Sequence, residues 1–226
     1  MVQENLKQIR EHIEEACQRV GRNPKEVTLI AVSKTKPLSM MEEAVQAGVL
    51  DFGENKVQEI AVKQPCLPEH IRFHMIGHLQ RNKVKQVIDK AVLIHSVDSL
   101  RLAEQIEEEA AKRGLHVNIL LEVNVAREES KFGFYLEEVE NAVEKIGKFS
   151  HITIKGLMTI APFVENPEKN RDVFKKLYQL YVDIKGKNID NGTMVALSMG
   201  MTGDYEVAIE EGATMIRVGT GIFGTR

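Results

Sequence analysis

The chain has 226 residues and a net charge of −3 at pH 7. That length fits one large domain or two small ones, and the charge gives no broad basic surface for nucleic acid or for an acidic membrane. No apolar run approaches the roughly 18 residues of a membrane span, and no signal peptide begins the chain. Cys17 and Cys66 lack metal-site spacing and fit reduced thiols, so we expect a cytoplasmic protein without a metal. Asn191-Gly192-Thr193 matches a glycosylation pattern, which has no meaning without secretion.

An amphipathic helix begins the chain, and predicted strands then alternate with predicted helices. Apolar residues from Val2 to Val20 recur every three or four positions, and Gly21 is the expected end of this helix. Strands are predicted at 27–32, 49–52, 71–76, 91–95, 116–123, 152–157, 194–197 and 214–218. Helices are predicted at 39–48 with Ser39 as N-cap, at 56–63, from about 80, at 98–114 with Asp98 as N-cap, at 136–146, 166–186 and 203–212.

This regular alternation is typical of parallel βα units. Eight strands in a chain of this length favour a single (β/α)8 TIM barrel over residues 1–226, with an extra helix before the first strand. An open doubly wound sheet is the alternative architecture.

The first strand ends at Ser33 and Lys34, and Pro37 blocks further pairing. Lys34 therefore lies at the carboxyl end of a core strand, where ligands of such folds bind. It is either an ordinary rim lysine with its ammonium in water or a lysine that forms a Schiff base. The second reading requires loss of its proton, which burial or a neighbouring cation favours, and Lys36 is the candidate cation.

The glycine pattern Gly219-x-Gly221-x-x-Gly224 follows the eighth strand. It fails as a dinucleotide-binding fingerprint because the sequence ends at Arg226, so we expect no following helix. The loops after strands seven and eight instead fit a phosphate site, formed by residues 198–203 on one side and Gly219-Thr220 on the other. Two ordinary glycine-containing turns are the equally weighted alternative.

Arg217 lies near the end of the eighth strand and needs a partner if it is buried. That partner is either a rim carboxylate such as Glu54 or an aromatic nitrogen of a ligand. His74 and His78 are four residues apart on a strand and its turn, so we expect satisfied histidines and no metal site. The basic stretch 80–85 is expected to be a solvated helix face, with an anion-binding patch as the alternative.

Together these residues resemble the pyridoxal phosphate homeostasis protein family over nearly the whole chain. The matching segments are Ala31-Val32-Ser33-Lys34-Thr35-Lys36-Pro37, Phe52-Gly53-Glu54-Asn55, Val57-Gln58-Glu59, Ile76-Gly77-His78-Leu79-Gln80-Arg81-Asn82-Lys83, Gly156-Leu157-Met158-Thr159, Ser198-Met199-Gly200-Met201 and Arg217-Val218-Gly219-Thr220. The chain departs from the family pattern at Lys56, Phe73 and Thr202, where tyrosine, tryptophan and serine are usual.

The resemblance implies a fold like the barrel domain of alanine racemase, with pyridoxal 5′-phosphate (PLP) as cofactor. It implies a covalent Schiff base at Lys34, with Asn55 close to the ring and Arg217 at the pyridine nitrogen. The residues implied near the phosphate are Ser198, Thr202, Gly219 and Thr220. An arginine cannot hand over a proton, so the pyridine nitrogen stays unprotonated and the cofactor is a weaker electron sink.

Three functions follow as alternatives. The first is a PLP-binding protein, not an enzyme, that buffers PLP and supplies it to apo-enzymes. For this protein we expect a monomer or weak dimer, with no nucleic acid or membrane partner.

The second is a PLP-dependent amino-acid racemase, which needs an acid/base group on each face of the substrate carbon. Tyr205 is the only nearby candidate for the second group, and we expect it to pack as part of a helix. The third is an aldolase-like barrel whose Schiff base forms on a sugar phosphate without PLP.

Overall fold

The structure is a computed structural model that describes residues 1–187 and 192–225. Eight parallel strands close into a barrel in chain order, because β8 pairs with β1. The strands are β1 (Thr28–Val32), β2 (Asp51–Glu54), β3 (Arg72–Met75), β4 (Ala91–Val97), β5 (Val117–Glu122), β6 (Ile152–Met158), β7 (Gly192–Met201) and β8 (Met215–Val218). The predicted (β/α)8 barrel is confirmed. Asn191 of the glycosylation pattern lies outside the described residues.

Helices surround the barrel and connect its strands. They are α1 (Val2–Arg19), α2 (Leu38–Gln46), α3 (Val57–Lys63), α4 (Leu100–Arg113), α5 (Leu136–Ile146), α6 (Arg171–Lys185), α7 (Tyr205–Glu210) and α8 (Thr220–Phe223). Within the described ranges, no helix has the length and apolar composition that a bilayer crossing requires.

The apolar core lies mainly between the barrel and its helices. Phe52, Phe73 and Phe174 are its largest fully buried side chains, and the predicted stripe of α1 from Val2 to Ala16 joins the same cluster. A second, small cluster is formed by Leu93, Leu120, Met158 and Ala196.

Several predicted helix boundaries are wrong, for local reasons. Helix α2 already begins at Leu38, so Ser39 is not its cap. Ser99 caps α4 by accepting a hydrogen bond from the Leu102 amide at 3.3 Å, whereas the predicted cap, Asp98, pairs with His78. The basic stretch forms a short 3-10 helix, Arg81–Gln86.

Two corrections change the candidate site. Strand β7 continues to Met201, four residues beyond its predicted end, so Ser198 belongs to the strand instead of a loop. The one-turn helix α8 follows Gly219, although no helix was expected there. The amides of Gly219 and Gly221, at the start of this helix, therefore face Thr202 in the loop after β7.

Candidate functional site

Six of the seven predicted site residues line one cavity at the carboxyl ends of the strands. The cavity has a volume of about 530 Å³. The six residues are Lys34, Asn55, Thr202, Arg217, Gly219 and Thr220. The structure thus brings together residues from four separate βα units, while the group that they bind stays a prediction.

Lys34 is carried by a turn that is held from the neighbouring strand and helix. The Ser33 hydroxyl donates to Glu54 Oε1 at 2.6 Å, and Lys63 Nζ donates to the Ser33 carbonyl at 2.8 Å. The amide of Thr35, whose φ is +63°, donates to Glu59 Oε2 at 2.8 Å. A residue in the left-handed region persists only where its surroundings hold it, so these contacts fix the backbone on both sides of Lys34.

Lys36 has a role that the sequence did not predict. Its ammonium donates to the carbonyl oxygens of Phe223, Gly224 and Thr225 at 3.2, 2.9 and 3.2 Å. The chain turns at Thr35, so the expectation of an extended segment with Lys36 beside Lys34 is wrong. Lys36 instead binds the carboxyl end of α8, where a cation is favourable.

The cavity's donor-rich wall is made by two adjoining segments, 202–203 and 219–221, which we call the paired loops. Thr202 Oγ1 accepts hydrogen bonds from the amides of Gly219 and Gly221, both at 3.3 Å, and from the Thr220 hydroxyl at 3.2 Å. A methyl group added at Gly203 would meet no atom within 4 Å. The paired loops thus present backbone and hydroxyl donors beside open space, which is the chemistry that an anion requires.

Asn55 is positioned by a close approach of the chain at the end of β3. A methyl group added at Gly77 would lie 2.6 Å from the Asn55 carbonyl oxygen and 2.7 Å from its Cα. Only glycine fits that contact without displacing the backbone, so Gly77 determines how far Asn55 extends at the rim.

Arg217 is buried, yet it borders the cavity. Its Nη1 donates to Ser198 Oγ at 2.6 Å, and its Nη2 donates to the Thr159 carbonyl at 2.7 Å. Burial lowers the pKa of Arg217 to about 10, against the opposing carboxylates of Glu122 and Asp204, so it remains charged at neutral pH.

Ser198 is the predicted site residue that the structure places elsewhere. It is fully buried because β7 runs past it, and its hydroxyl bonds to Arg217 and to His95 Nδ1 at 2.9 Å. Ser198 thus supports Arg217 from inside the barrel, and its implied position near a phosphate stays a prediction.

Glu54 does not pair with Arg217, which was one of the two predicted alternatives. Its Oε1 accepts from Lys63 of α3 at 2.7 Å, on the helix side of β2. Burial raises the pKa of Glu54, although Lys63 and Ser33 act in the opposite direction. Glu54 thus helps to hold the turn that carries Lys34, by accepting hydrogen bonds from Ser33 and Lys63.

The histidines are satisfied, as predicted. His74 is buried between Asp51 and His95, and His78 Nδ1 pairs with Asp98 at 3.0 Å. The described part of the chain contains no group of three or more His, Cys, Asp or Glu side chains that could hold a metal.

Tyr205 packs as part of a helix, as expected. Its hydroxyl lies 3.1 Å from His12 Nδ1 of α1, and burial raises its pKa to about 12. Tyr205 is buried against α1 and is not among the residues that line the cavity.

Sequence reasoning missed Glu122 and His95, which are buried polar residues of β5 and β4. A polar residue within an otherwise apolar parallel strand is the signal that could have found them. It also missed Asn170, whose side chain donates to Asp204 Oδ2 and to the Pro162 carbonyl. That contact joins two walls of the cavity and has no local sequence signature.

Comparisons with known proteins agree with this architecture. The family model of the alanine racemase N-terminal domain matches residues 5–226. The pyridoxal phosphate homeostasis protein of Aquifex aeolicus strain VF5 is 42% identical over 224 residues, which cover 99% of this chain and 97% of the relative. The solved structure of PipY from Synechococcus elongatus PCC7942 with PLP bound is 32% identical, has a TM-score of 0.86 and covers 99% of this chain and 100% of PipY.

Alanine racemases are more distant relatives in structure. The Clostridium difficile 630 enzyme is 16% identical with a TM-score of 0.71, and the match covers all of this chain but 56% of the racemase. At that identity the likeness supports the shared barrel fold alone.

Proposed function

This chain belongs to the pyridoxal phosphate homeostasis protein family, and we propose from that membership that it binds PLP and buffers its free concentration. The proposal includes delivery of PLP to apo-enzymes and no turnover of a substrate by the protein itself. The observation that carries it is the single cavity shared by the Lys34 amine, the paired loops and the Arg217 guanidinium.

The donor set of the cavity fits the three functional groups of PLP. The hydroxyls of Thr202 and Thr220 suit a phosphate. The amides of Gly219 and Gly221 support that surface by donating to Thr202 Oγ1. The free space at Gly203 lets the phosphate oxygens approach the backbone. Lys34 supplies an amine that reacts with an aldehyde. Arg217 supplies N–H donors for a ring nitrogen.

When bound in an enzyme, PLP supplies an electron sink that stabilises carbanions. The residues of this cavity favour retention over that chemistry. Arg217 donates hydrogen bonds but transfers no proton, so it leaves a ring nitrogen uncharged. Tyr205, the candidate for a second acid/base group, is buried against α1. These two features favour a carrier over a racemase.

Absorbance before and after borohydride treatment tests the proposal. Protein incubated with PLP should turn yellow, and borohydride should fix the cofactor onto a peptide that contains Lys34. Lys34→Ala should abolish fixation, while Lys56→Ala, a control at an exposed rim lysine, should not. A colourless protein would favour the aldolase-like alternative. Loss of optical activity of an L-amino acid, abolished in Lys34→Ala, would establish a racemase instead.

Delivery is tested separately, by mixing the loaded protein with a PLP-dependent apo-enzyme. Activation should be faster than with the same amount of PLP held on serum albumin. Equal rates would contradict the delivery role while leaving PLP binding intact.

The paired loops are tested by Thr220→Val and Gly203→Ala. Hydrogen bonds to a charged group contribute roughly 1.5–3 kcal/mol, so Thr220→Val should weaken PLP binding by at least about tenfold. Gly203→Ala meets no protein atom within 4 Å and should weaken binding without changing stability. Gly186→Ala, at the end of α6, is the matched control and should retain PLP as the unmodified protein does. Unchanged retention in both loop variants would place the phosphate elsewhere.

A further inference from the structure

A continuous chain of hydrogen bonds crosses the interior of the barrel and ends at Arg217. Arg217 Nη1 lies 2.6 Å from Ser198 Oγ, which lies 2.9 Å from His95 Nδ1. His95 Nε2 lies 2.9 Å from His74 Nδ1, and His74 Nε2 lies 2.9 Å from Asp51 Oδ1. All five side chains are buried, and they come from five different strands. We call these five residues the polar chain.

The two ends of the polar chain determine the direction of every hydrogen in it. A guanidinium only donates, and an ionised carboxylate only accepts. Burial alone would raise the pKa of Asp51, but hydrogen bonds from His74 and Arg72 outweigh it and lower the pKa to about 2. Asp51 is therefore an acceptor at neutral pH.

Between those ends each neutral group must accept on one side and donate on the other. Ser198 accepts from Arg217 and donates to His95, so His95 carries its proton on Nε2. His95 then donates to His74, which carries its own proton on Nε2 and donates to Asp51. A doubly protonated ring would place the His95 Nδ1–H against Ser198 Oγ, which would leave the buried Ser198 hydroxyl hydrogen without an acceptor in the polar chain. Burial, together with the positive charge of Arg217, holds the pKa of His95 well below its usual range.

The end of the polar chain away from the cavity is anchored at the amino ends of the strands. Arg72, half-exposed on β3, holds both carboxylate oxygens of Asp51 at 2.7 and 2.5 Å. The opposite end is closed by the bond from Arg217 Nη2 to the Thr159 carbonyl. The guanidinium is therefore clamped at two nitrogens.

We propose that His95 is a positioning residue for Arg217, which through Ser198 fixes the rotation of the guanidinium and the direction of its cavity-facing N–H bonds. Without His95 as acceptor, the Ser198 hydroxyl hydrogen has no fixed partner. The hydroxyl can then rotate, and its lone pair is no longer held towards Arg217. The consequence for PLP rests on the proposed function, but the positioning itself is a property of the protein without ligand.

The first experiment needs no ligand and uses nitrogen-15 NMR of the arginine and histidine side chains. A clamped guanidinium gives separate Nη1 and Nη2 resonances, whereas one that rotates freely gives an averaged signal. The resonances of Arg217 are identified by their loss in Arg217→Lys. We expect separate resonances in the unmodified protein, and Nε2-protonated neutral rings for His74 and His95.

The informative variants are His95→Leu and His95→Asn. His95→Leu removes the acceptor, so the two Nη resonances should merge. His95→Asn retains an acceptor oxygen near the position of Nδ1, so it should rescue the separate resonances although its link to His74 is lost. Should His95→Leu fail to fold, Ser198→Ala breaks the same chain with a smaller change of volume, and the same merging is expected.

The second measurement is PLP binding by the same variants. His95→Leu should weaken binding by about tenfold, the equivalent of one hydrogen bond, and should move the ring nitrogen-15 resonance of labelled PLP downfield. Separate Nη resonances in both His95→Leu and Ser198→Ala, or an Nδ1-protonated His95, would overturn the proposal. Failure of the unmodified protein to bind PLP would overturn the proposed function alone, because the ligand-free spectra still decide whether His95 positions Arg217.

Discussion

Glu122 is a buried carboxyl group whose ionisation affects the stability of the folded barrel. It is 6% exposed, and burial together with the nearby charge of Asp98 raises its pKa from 4.5 to about 7, against Arg217 and Lys131. Between these two pH values the unfolded chain has lost the proton and the folded chain keeps it. The free energy of unfolding therefore falls as the pH rises through this window, by roughly 3 kcal/mol in all.

Glu122→Gln should remove this pH dependence. Relative to the unmodified protein, the variant should gain about 3 kcal/mol of stability between pH 4 and pH 8, because glutamine never has to be buried as an anion. Urea unfolding at pH 4, 6 and 8 measures the difference. Glu144→Gln, an exposed position on α5, should follow the unmodified protein at every pH. Parallel profiles for Glu122→Gln and the unmodified protein would contradict the raised pKa.

At the residue scale, the sequence predicted the cavity-lining residues that directly follow a strand, while their function stays a prediction. Lys34 and Gly219 were found because an apolar run stops at them, and Arg217 because an arginine in a strand needs a partner. Ser198 was misplaced because its strand continues for three more residues, which local composition does not reveal. His95 was missed because its partners, His74 and Ser198, come from distant parts of the sequence.

Helix α8, which has only four residues, is tethered at its carboxyl end by Lys36. A helix of one turn is unstable in isolation, and its last carbonyl groups lack partners within the helix. The Lys36 ammonium satisfies three carbonyl groups at that end. Because α8 contributes two amides to the paired loops, the tether also supports the cavity.

Lys36→Met should therefore loosen α8 without unfolding the barrel. The amides of Ile222, Phe223 and Gly224, which bond within this turn, should exchange with deuterium about tenfold faster, as expected for the loss of one charged hydrogen bond. Mass spectrometry of the C-terminal peptide measures the exchange. Lys36→Arg keeps the donors and should stay close to the unmodified rate. Equal protection in Lys36→Met would show that α8 is held by its packing alone.

The elements themselves were largely predictable, whereas several of their ends were not. Periodicity located all eight strands, and helix α5 was predicted at its observed bounds, 136–146. The errors at Ser39 and Asp98 arose because neighbouring Leu38 and Ser99 were equally compatible with a helix start. The backbone geometry of the preceding strand decides between such neighbours, and that geometry depends on the whole barrel.

Closure of the barrel depends on one glycine at the seam between β6 and β7. Gly156 has a φ of +154°, and a methyl group there would lie 1.7 Å from the Ala196 carbonyl oxygen. The two strands shift register at this point, so the backbones approach more closely than a side chain permits.

Gly156→Ala should destabilise the entire molecule, because a closed sheet cannot open one seam without strain in the others. We expect a loss of at least about 3 kcal/mol, the upper part of the range for overpacking in a core. The midpoint of urea unfolding measures it, with Gly186→Ala as a control whose added methyl group meets only ordinary contacts. A midpoint within experimental error of the unmodified protein would mean that β6 and β7 can separate at little cost.

The polar chain also limits how this barrel can be redesigned. Each member donates a hydrogen bond to the next. Replacing one member therefore leaves a buried donor or acceptor without a partner, which lowers the free energy of unfolding by roughly 1–3 kcal/mol. Replacing all five together by apolar side chains of similar volume removes that cost within the chain, as has been found for other buried ionic groups, and leaves only Arg72 and the Thr159 carbonyl in need of new partners. A redesign of this barrel for a new specificity should therefore either replace all five residues together or keep all five.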